Sequence, residues 1–393
     1  MNNSNWVEIA ENLHLWFEKH NYKGNDPFQV DERFFGKVRK IPLTKHLRKI
    51  LKPFHSYLPS ATFTKYPPIY HPKTLGLVIS GNTHLYKVTN EADLIIENIK
   101  LLELLNDLRS PGYEFLSWGH PFDWGQSPRY PKDTPFVCVT CPVAHGLLDF
   151  YNTSQNERAL QMCLSASQGL LLENGFDLVS DDMISLYYSP MDRKYVYNSN
   201  IMAASFLYRL NEIQPKREYI EFADRLINFV VSAQNKDGSW IYADERGEQR
   251  IDTIDNRHTS FVLEAFQIIN DIRKDDSLTN ILEKGKDYYL KNLFEGPVPK
   301  WSPDKTYPVD IHDIANAIVT LTKLNEIEKA AATLRFGLSK MFNGKDHFYY
   351  KLFANGRVNK TVFIRWGQAW MYYAIVFLIN KKIITENTIK NLY

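Results

Sequence analysis

Five short stretches of this chain mix aspartate, histidine and arginine with tryptophan and tyrosine. The first is Trp118-Gly119-His120-Pro121-Phe122-Asp123-Trp124, followed by Arg129, and the second runs from Tyr195 to Asn200. The others are Asp255-Asn256-Arg257-His258, Asp310-Ile311-His312-Asp313 and Arg365-Trp366-Gly367-Gln368-Ala369-Trp370. Flat rings suit the apolar face of a sugar, and planar amides and carboxylates suit its hydroxyls. Arginine adds bidentate pairing to a carboxylate or phosphate. The expected catalytic residues are therefore Asp123 and Asp313 as acid or base and His258 and His312 as proton carriers. The expected substrate contacts are Trp118, His120, Trp124, Arg129, Tyr197, Asn198, Asn256, Arg257, Arg365, Trp366 and Gln368. Two carboxylates across a cleft would serve glycoside hydrolysis. A Tyr or His beside a uronate carboxylate neutralised by Arg257 or Arg365 would serve epimerisation or β-elimination.

Each piece also has a structural reading. Asp123, Asp255 and Asp310 are residue types that cap helices and turns. His258 and His312 stand near helix starts, where a histidine often has a structural partner. Trp240 and Trp370 suit hairpin packing. His312 has no second histidine at ligand spacing, and Cys138-Val139-Thr140-Cys141 has no second cysteine pair, so neither a metal nor another cofactor is expected.

These clusters need elements to bring them together, and helical hairpins recur from about residue 74 onward. The expected pairs are Leu75 to Tyr86 with Ala92 to Leu108, Pro135 to Tyr151 with Asn156 to Glu173, and Asn198 to Leu210 with Arg217 to Ala233. Then come Asn256 to Ile272 with Leu278 to Leu293, and Ile311 to Lys323 with Ile327 to Met341. The sixth opens at Phe363 to Leu378 and closes either with Glu386 to Leu392 or with a helix near Asn5 to His20. First members, such as the helix of Ile201 to Leu210, are apolar nearly all round. Second members are amphipathic, as in Ile220, Ala223, Leu226, Ile227, Val230 and Val231. An all-α (α/α)6 toroid follows, with inner and outer helical barrels and the polar clusters at the entries to the inner helices. Residues 1–73 are expected to form an N-terminal helix and an extended, proline-rich wrapping segment, and 74–393 the toroid as one domain. Asp237-Gly238 makes a turn from which Trp240 can fold back on its helix end.

The formal net charge of +2, with both signs dispersed, gives no footprint for nucleic acid. Ala369 to Ile379 is about half the roughly twenty apolar residues of a membrane span. With three cysteines and no secretory signal at the start, a cytoplasmic protein is expected.

Two resemblances bear on function. Gln234, Asp237, Gly238, Ser239 and Trp240 resemble the QW repeat of squalene and related terpenoid cyclases, which implies stapled hairpins in a toroid; the DxDD protonation motif of those enzymes is absent. WGHPFDW at 118–124, TPFVCVTCPVAHGLLDFY at 134–151 and FIRWGQAWMYYAI at 363–375 look like bacterial toroid proteins of exopolysaccharide and capsule clusters. More distantly, the layout is similar to the C-terminal domain of glucuronyl C5-epimerases and to six-hairpin glycosidases. The resemblance implies a saccharide or polysaccharide substrate and, as partners, other proteins of a polysaccharide pathway. The leading expectation is a carbohydrate-directed enzyme of epimerase, lyase or glycosidase type. A non-catalytic glycan-binding or scaffold protein is the second reading. A terpenoid cyclase or prenyltransferase is the third, and it requires an apolar central cavity.

Overall fold

The computed structural model describes residues 3–38, 66–125 and 128–390. Its helices run α1 (Asn3–Lys19), α2 (Pro27–Val38), α3 (Pro72–Thr89), α4 (Ala92–Asp107), α5 (Val137–Ser154), α6 (Glu157–Gln168) and α7 (Tyr197–Asn211). There follow α8 (Arg217–Ser232), α9 (Asn256–Arg273), α10 (Asp276–Asn292), α11 (Ile311–Lys323), α12 (Ile327–Met341) and α13 (Trp370–Lys390), the last entered through a π-helical turn at Ile364–Ala369.

Helices α3, α5, α7, α9, α11 and α13 each pack on the next, and α13 returns to α3, so the inner ring is closed. Outside it, α4, α6, α8, α10 and α12 each pack on the inner helix that precedes them. The fold is an all-α (α/α)6 toroid. Inner helices are buried all round because they touch neighbours on both sides: in α11 every residue from Ile311 to Thr322 is buried. Outer helices bury one stripe, as α8 does with Tyr219, Ala223, Leu226, Ile227, Phe229 and Val230. The tightest approach in the ring is between α3 and α5. A Cβ on Gly146 would lie 2.2 Å from the Gly76 carbonyl oxygen, so only glycine lets the two backbones meet.

The sixth outer helix is α1, from the other end of the chain. It lays Trp6, Ile9, Ala10, Leu13 and Phe17 into the core against α13. The stretch beginning at Glu386 does not fold back as a partner, because 370–390 holds no proline or glycine and continues as one helix. Leu392 lies outside the described residues.

Residues 21–73, expected to be irregular, contain helix α2. Pro27 is its first residue, where the missing N–H has no bond to lose, and Asp26 accepts the Phe28 N–H at 2.9 Å. Pro72 likewise opens α3 rather than breaking it. Pro42, Pro53 and Pro59, and the expectation that this part wraps the barrel, lie outside the described residues.

The hairpins are stapled by tryptophan. The Trp240 indole donates to the Val230 carbonyl at 2.9 Å at the end of α8, and Gln234 reaches the Ile281 carbonyl at 2.9 Å on α10. Gly238, at φ +93°, passes so near α10 that a Cβ would sit 2.3 Å from the Lys284 oxygen. Trp118 plays the same part for α4, donating to the Leu105 carbonyl at 2.8 Å. Short strands at Val309–Asp310, Lys351–Leu352 and Val358–Asn359 set Asp310 opposite Lys351 at one mouth of the ring.

Candidate functional site

The N-terminal turns of the inner helices meet at one mouth, which we call the front. Unpaired backbone N–H groups there favour negative charge. Three of the turns are capped by side chains. Asp255 accepts the His258 N–H at 2.9 Å, Asp310 accepts that of His312 at 3.0 Å, and His71 accepts that of Lys73 at 3.1 Å. Capping fixes where the following side chains start, and it gathers Lys73 and His258 about His312 in one cluster, the front chamber.

Arg257 is the hub. Its guanidinium donates to Asp313 at 2.6 Å, stands 3.8 Å from Asp310, and lies 4.4 Å over the Trp366 ring. The Trp366 indole in turn donates to Asp310 at 2.9 Å, and the Lys351 ammonium is 3.7 Å from the same carboxylate. His312 is wedged between Trp366 and Trp370, with centroids 4.5 and 5.2 Å away. Burial and the Arg257 charge hold it well below its ordinary pKa, so it is neutral. Burial also lifts the Asp313 carboxyl to about 7 against the pull of Arg257, with Asp310 and Asp255 adding to the rise.

Five polar atoms here have no hydrogen-bond partner among the described residues: both ring nitrogens of His312, Oδ2 of Asp313, Nε of Arg257 and Nε1 of Trp370. Buried polar atoms are nearly always paired, and each one left alone costs about 1–3 kcal/mol. A cluster of them marks a place where something else supplies the bonds.

Two further groups complete the chamber. His258 donates its Nδ1–H to Asp255 at 2.6 Å and rests on Tyr242 at 4.4 Å, its side chain one-third exposed. A carboxylate on Nδ1 leaves Nε2 as the basic nitrogen, the arrangement of an oriented general base. Lys73, absent from the sequence expectations, donates to the Cys138 carbonyl at 3.1 Å and lies 5.2 Å from both the Phe261 and Trp370 rings. Burial, with Arg365 and Arg257 close by, brings its ammonium down to about 8.

The other expected residues are placed differently. Arg365 holds Asp26 through two bonds, at 2.5 and 2.9 Å, and so ties α2 across the front instead of facing the chamber with a free fork. His120 is buried against His71 at 3.0 Å and meets Phe28 at 5.7 Å, and Trp124 stacks on Phe28 at 5.5 Å, so both pack against the start of α2. Asp123 is half exposed on a loop, bonded to Arg129 at 3.0 Å and to the Lys132 N–H at 3.0 Å, while Arg129 also pairs with Glu32. This pair fastens loop to α2 and lies outside the chamber. Trp118, Asn256 and Gln368 hold backbone: Asn256 donates to the Leu293 carbonyl, and Gln368 makes both bonds to Phe348 at 2.8 Å. Tyr197 donates to Asp244, and Asn198 is buried beside Met202.

Among the described residues, His14, Glu18 and Glu97 are the one group of ligand-type side chains close enough to share an ion. His14 already pairs with Glu97 at 2.6 Å, and Asn82 takes Glu97 at 3.1 Å, which accounts for the group without a metal. Cys138 lies 3.0 Å from the Tyr188 hydroxyl, and burial pushes the Cys141 thiol up, so Cys141 is not a thiolate. No described helix is long and apolar enough to cross a membrane.

No sequence-family model and no curated protein sequence matches the chain. The fold does have solved relatives. A cellobiose 2-epimerase from Bacillus thermoamylovorans superimposes with a TM-score of 0.64 at 12% identity, covering 80% of this chain and 88% of that one. An α-mannanase of glycoside hydrolase family 76 from Bacteroides thetaiotaomicron gives 0.63 at 12% identity over 80% and 87%. A polysaccharide lyase gives 0.62 at 8% identity and covers 98% of both chains. All three are carbohydrate-active, and at these identities the likeness is one of fold.

Proposed function

We propose that this protein is a carbohydrate-active enzyme that removes a proton beside the carboxylate of an acidic sugar, leading to epimerisation or β-elimination. The observation that carries this is the front chamber's set of buried, unpartnered polar atoms on His312, Asp313 and Arg257 beside the cation Lys73. Lys73 and the free Arg257 Nε–H, with the helix N-termini, suit an anionic sugar and the negative charge that develops on its carboxylate. His258, oriented by Asp255, is the base. The protonated fraction of Asp313 can return a proton, and neutral His312 can donate a hydrogen bond to the carboxylate as charge develops on it. The anion clamp is thus Arg257 with Lys73, since Arg365 is spent on Asp26.

Hydrolysis is less well served. Asp26, Asp255 and Asp310 are each engaged by cations or N–H donors, leaving Asp313 as the carboxylate of the front cluster with an idle oxygen, where a glycosidase needs two. The terpenoid reading needs an apolar interior, and the axial cavity, although Leu77, Met202, Phe261, Ile268 and Trp370 line much of it, also carries Asp149, Arg209, Glu264 and Lys323. The saccharide-directed relatives of the fold support a saccharide substrate. A role in making or tailoring an anionic extracellular or capsular polysaccharide fits this chemistry.

The test is kinetic. Against a panel of uronate oligomers, His258→Gln is expected to lower kcat by about 10²–10⁴-fold with KM little changed, as for loss of a general base. Undiminished turnover in that variant would remove His258 from the mechanism.

A further inference from the structure

A second opening lies at the opposite end of the ring, among the C-terminal ends of the inner helices. A cavity of about 550 Å³ runs in from it, within the size range of small-molecule sites. Phe261 and Trp370, which back the front chamber, form its floor, and Glu212 and Asp271 stand at its rim.

The two walls differ. On the side of α3, α5 and α7 the polar groups satisfy one another. Arg209 donates to Asp149 at 2.6 Å and to His145 Nδ1 at 2.9 Å, and the Ser80 hydroxyl donates to the second Asp149 oxygen. His145 meets Ser205 at 3.2 Å, and His84 Nδ1 accepts from Asn380 at 2.9 Å. The wall of α9, α11 and α13 is open. Glu264 takes the Thr320 hydroxyl on one oxygen at 2.8 Å and has the other free. Among the described residues, the Lys323 ammonium makes no hydrogen bond, lies 4.6 Å from the Phe377 ring and has Glu264 as its strongest neighbouring charge, and the Tyr373 hydroxyl has no hydrogen-bond partner.

The charges select against a charged ligand of either sign. Rim carboxylates and helix C-termini repel an anion, while Lys323 and the Arg209 guanidinium repel a cation. What remains free is a donor, an acceptor and a hydroxyl, beside the rings of Trp370, Tyr373 and Phe377. We infer that this rear cavity is a second binding site, for a neutral sugar unit, whose hydroxyls bond to Lys323, Glu264 and Tyr373 and whose apolar face lies on the aromatic rings. The site is independent of the reaction assigned to the front chamber.

The experiment is saturation-transfer NMR and tryptophan fluorescence on the full chain, titrated with glucose, mannose, galactose and cellobiose, with glucuronate and glucosamine as charged comparators. Saturable binding of at least one neutral sugar is expected, and in the Arg257→Met protein, which lacks the front clamp, it should be tighter than both comparators. Tyr373→Phe should weaken it about 3–10-fold, the worth of one hydrogen bond. Ala265→Trp, which fills the cavity, should abolish it, and Arg257→Met at the front should leave it unchanged. Silence up to about 50 mM sugar, a weaker Kd than is useful for any site, would overturn the inference. So would preference for a charged comparator in the Arg257→Met protein, or binding that responds to Arg257→Met but to neither rear variant. Tyr373→Phe removes one oxygen and keeps the packing, so the test survives if Ala265→Trp fails to fold.

Discussion

Arg257 and Asp313 are a buried pair in which each partner keeps one polar atom idle, and that is where single substitutions should speak most clearly. Arg257→Met is expected to lower kcat/KM for an acidic saccharide by about 10²–10³-fold, the usual loss on deleting one electrostatic stabiliser. The Asp313 carboxyl already lies near 7, so it can take up a proton when its partner goes, and the fold should be kept; equal losses of activity and Tm would mean a structural role instead. Glu264 gives a pH signature. Burial raises it from 4.5 to about 7, so the folded state prefers it protonated. Its stabilising contribution is complete below pH 4.5 and is lost as pH rises through about 7, on the order of 3 kcal/mol in all. Glu264→Gln should therefore match the parent near pH 4 and exceed it in urea midpoint at pH 8. Clustering at helix entries made Arg257, His258, His312 and Asp313 legible in the sequence. Lys73 is one lysine between Pro72 and Thr74 and carries no such signal. Glu264, Asp149 and Lys323 were hidden for another reason: each stands apart from the entry clusters in an inner helix, and inner helices read as apolar nearly all round.

Helix α1 shows what a periodic reading can and cannot find. Its stripe of Trp6, Ile9, Leu13 and Phe17 is visible as an amphipathic helix, yet its partner α13 is more than three hundred residues away, a pairing that no local period encodes. Because α1 completes the outer barrel, Phe17→Ala should cost about 3–5 kcal/mol in chemical denaturation, as for a fully buried aromatic. An appendage would lose almost nothing. In α2 the decisive contact is equally remote, Asp26 with Arg365, and Asp26→Asn should cost about 3–5 kcal/mol by leaving a buried guanidinium without its counter-charge. Proline misled the reading there, since Pro27 and Pro72 start helices. The Gln234 to Trp240 staple was the most readable element, because its turn, its glycine and its indole are contiguous in sequence.

At the scale of the molecule, the alternation of all-round apolar and one-faced helices made the two barrels legible, while ring closure rests on α13 meeting α3. Closure gathers the N-terminal turns of the inner helices at the front and the C-terminal ends at the rear, giving the toroid two mouths of opposite polarity. The front, with Lys73 and Arg257, is built for an anion, and that is the central claim. Its most direct test is proton NMR of the protein incubated in heavy water with uronate oligomers. Deuterium entering the carbon beside the carboxylate, or a new alkene there, lost in His258→Gln, is the predicted result. New reducing ends without deuterium uptake and without an alkene would show hydrolysis and contradict the account.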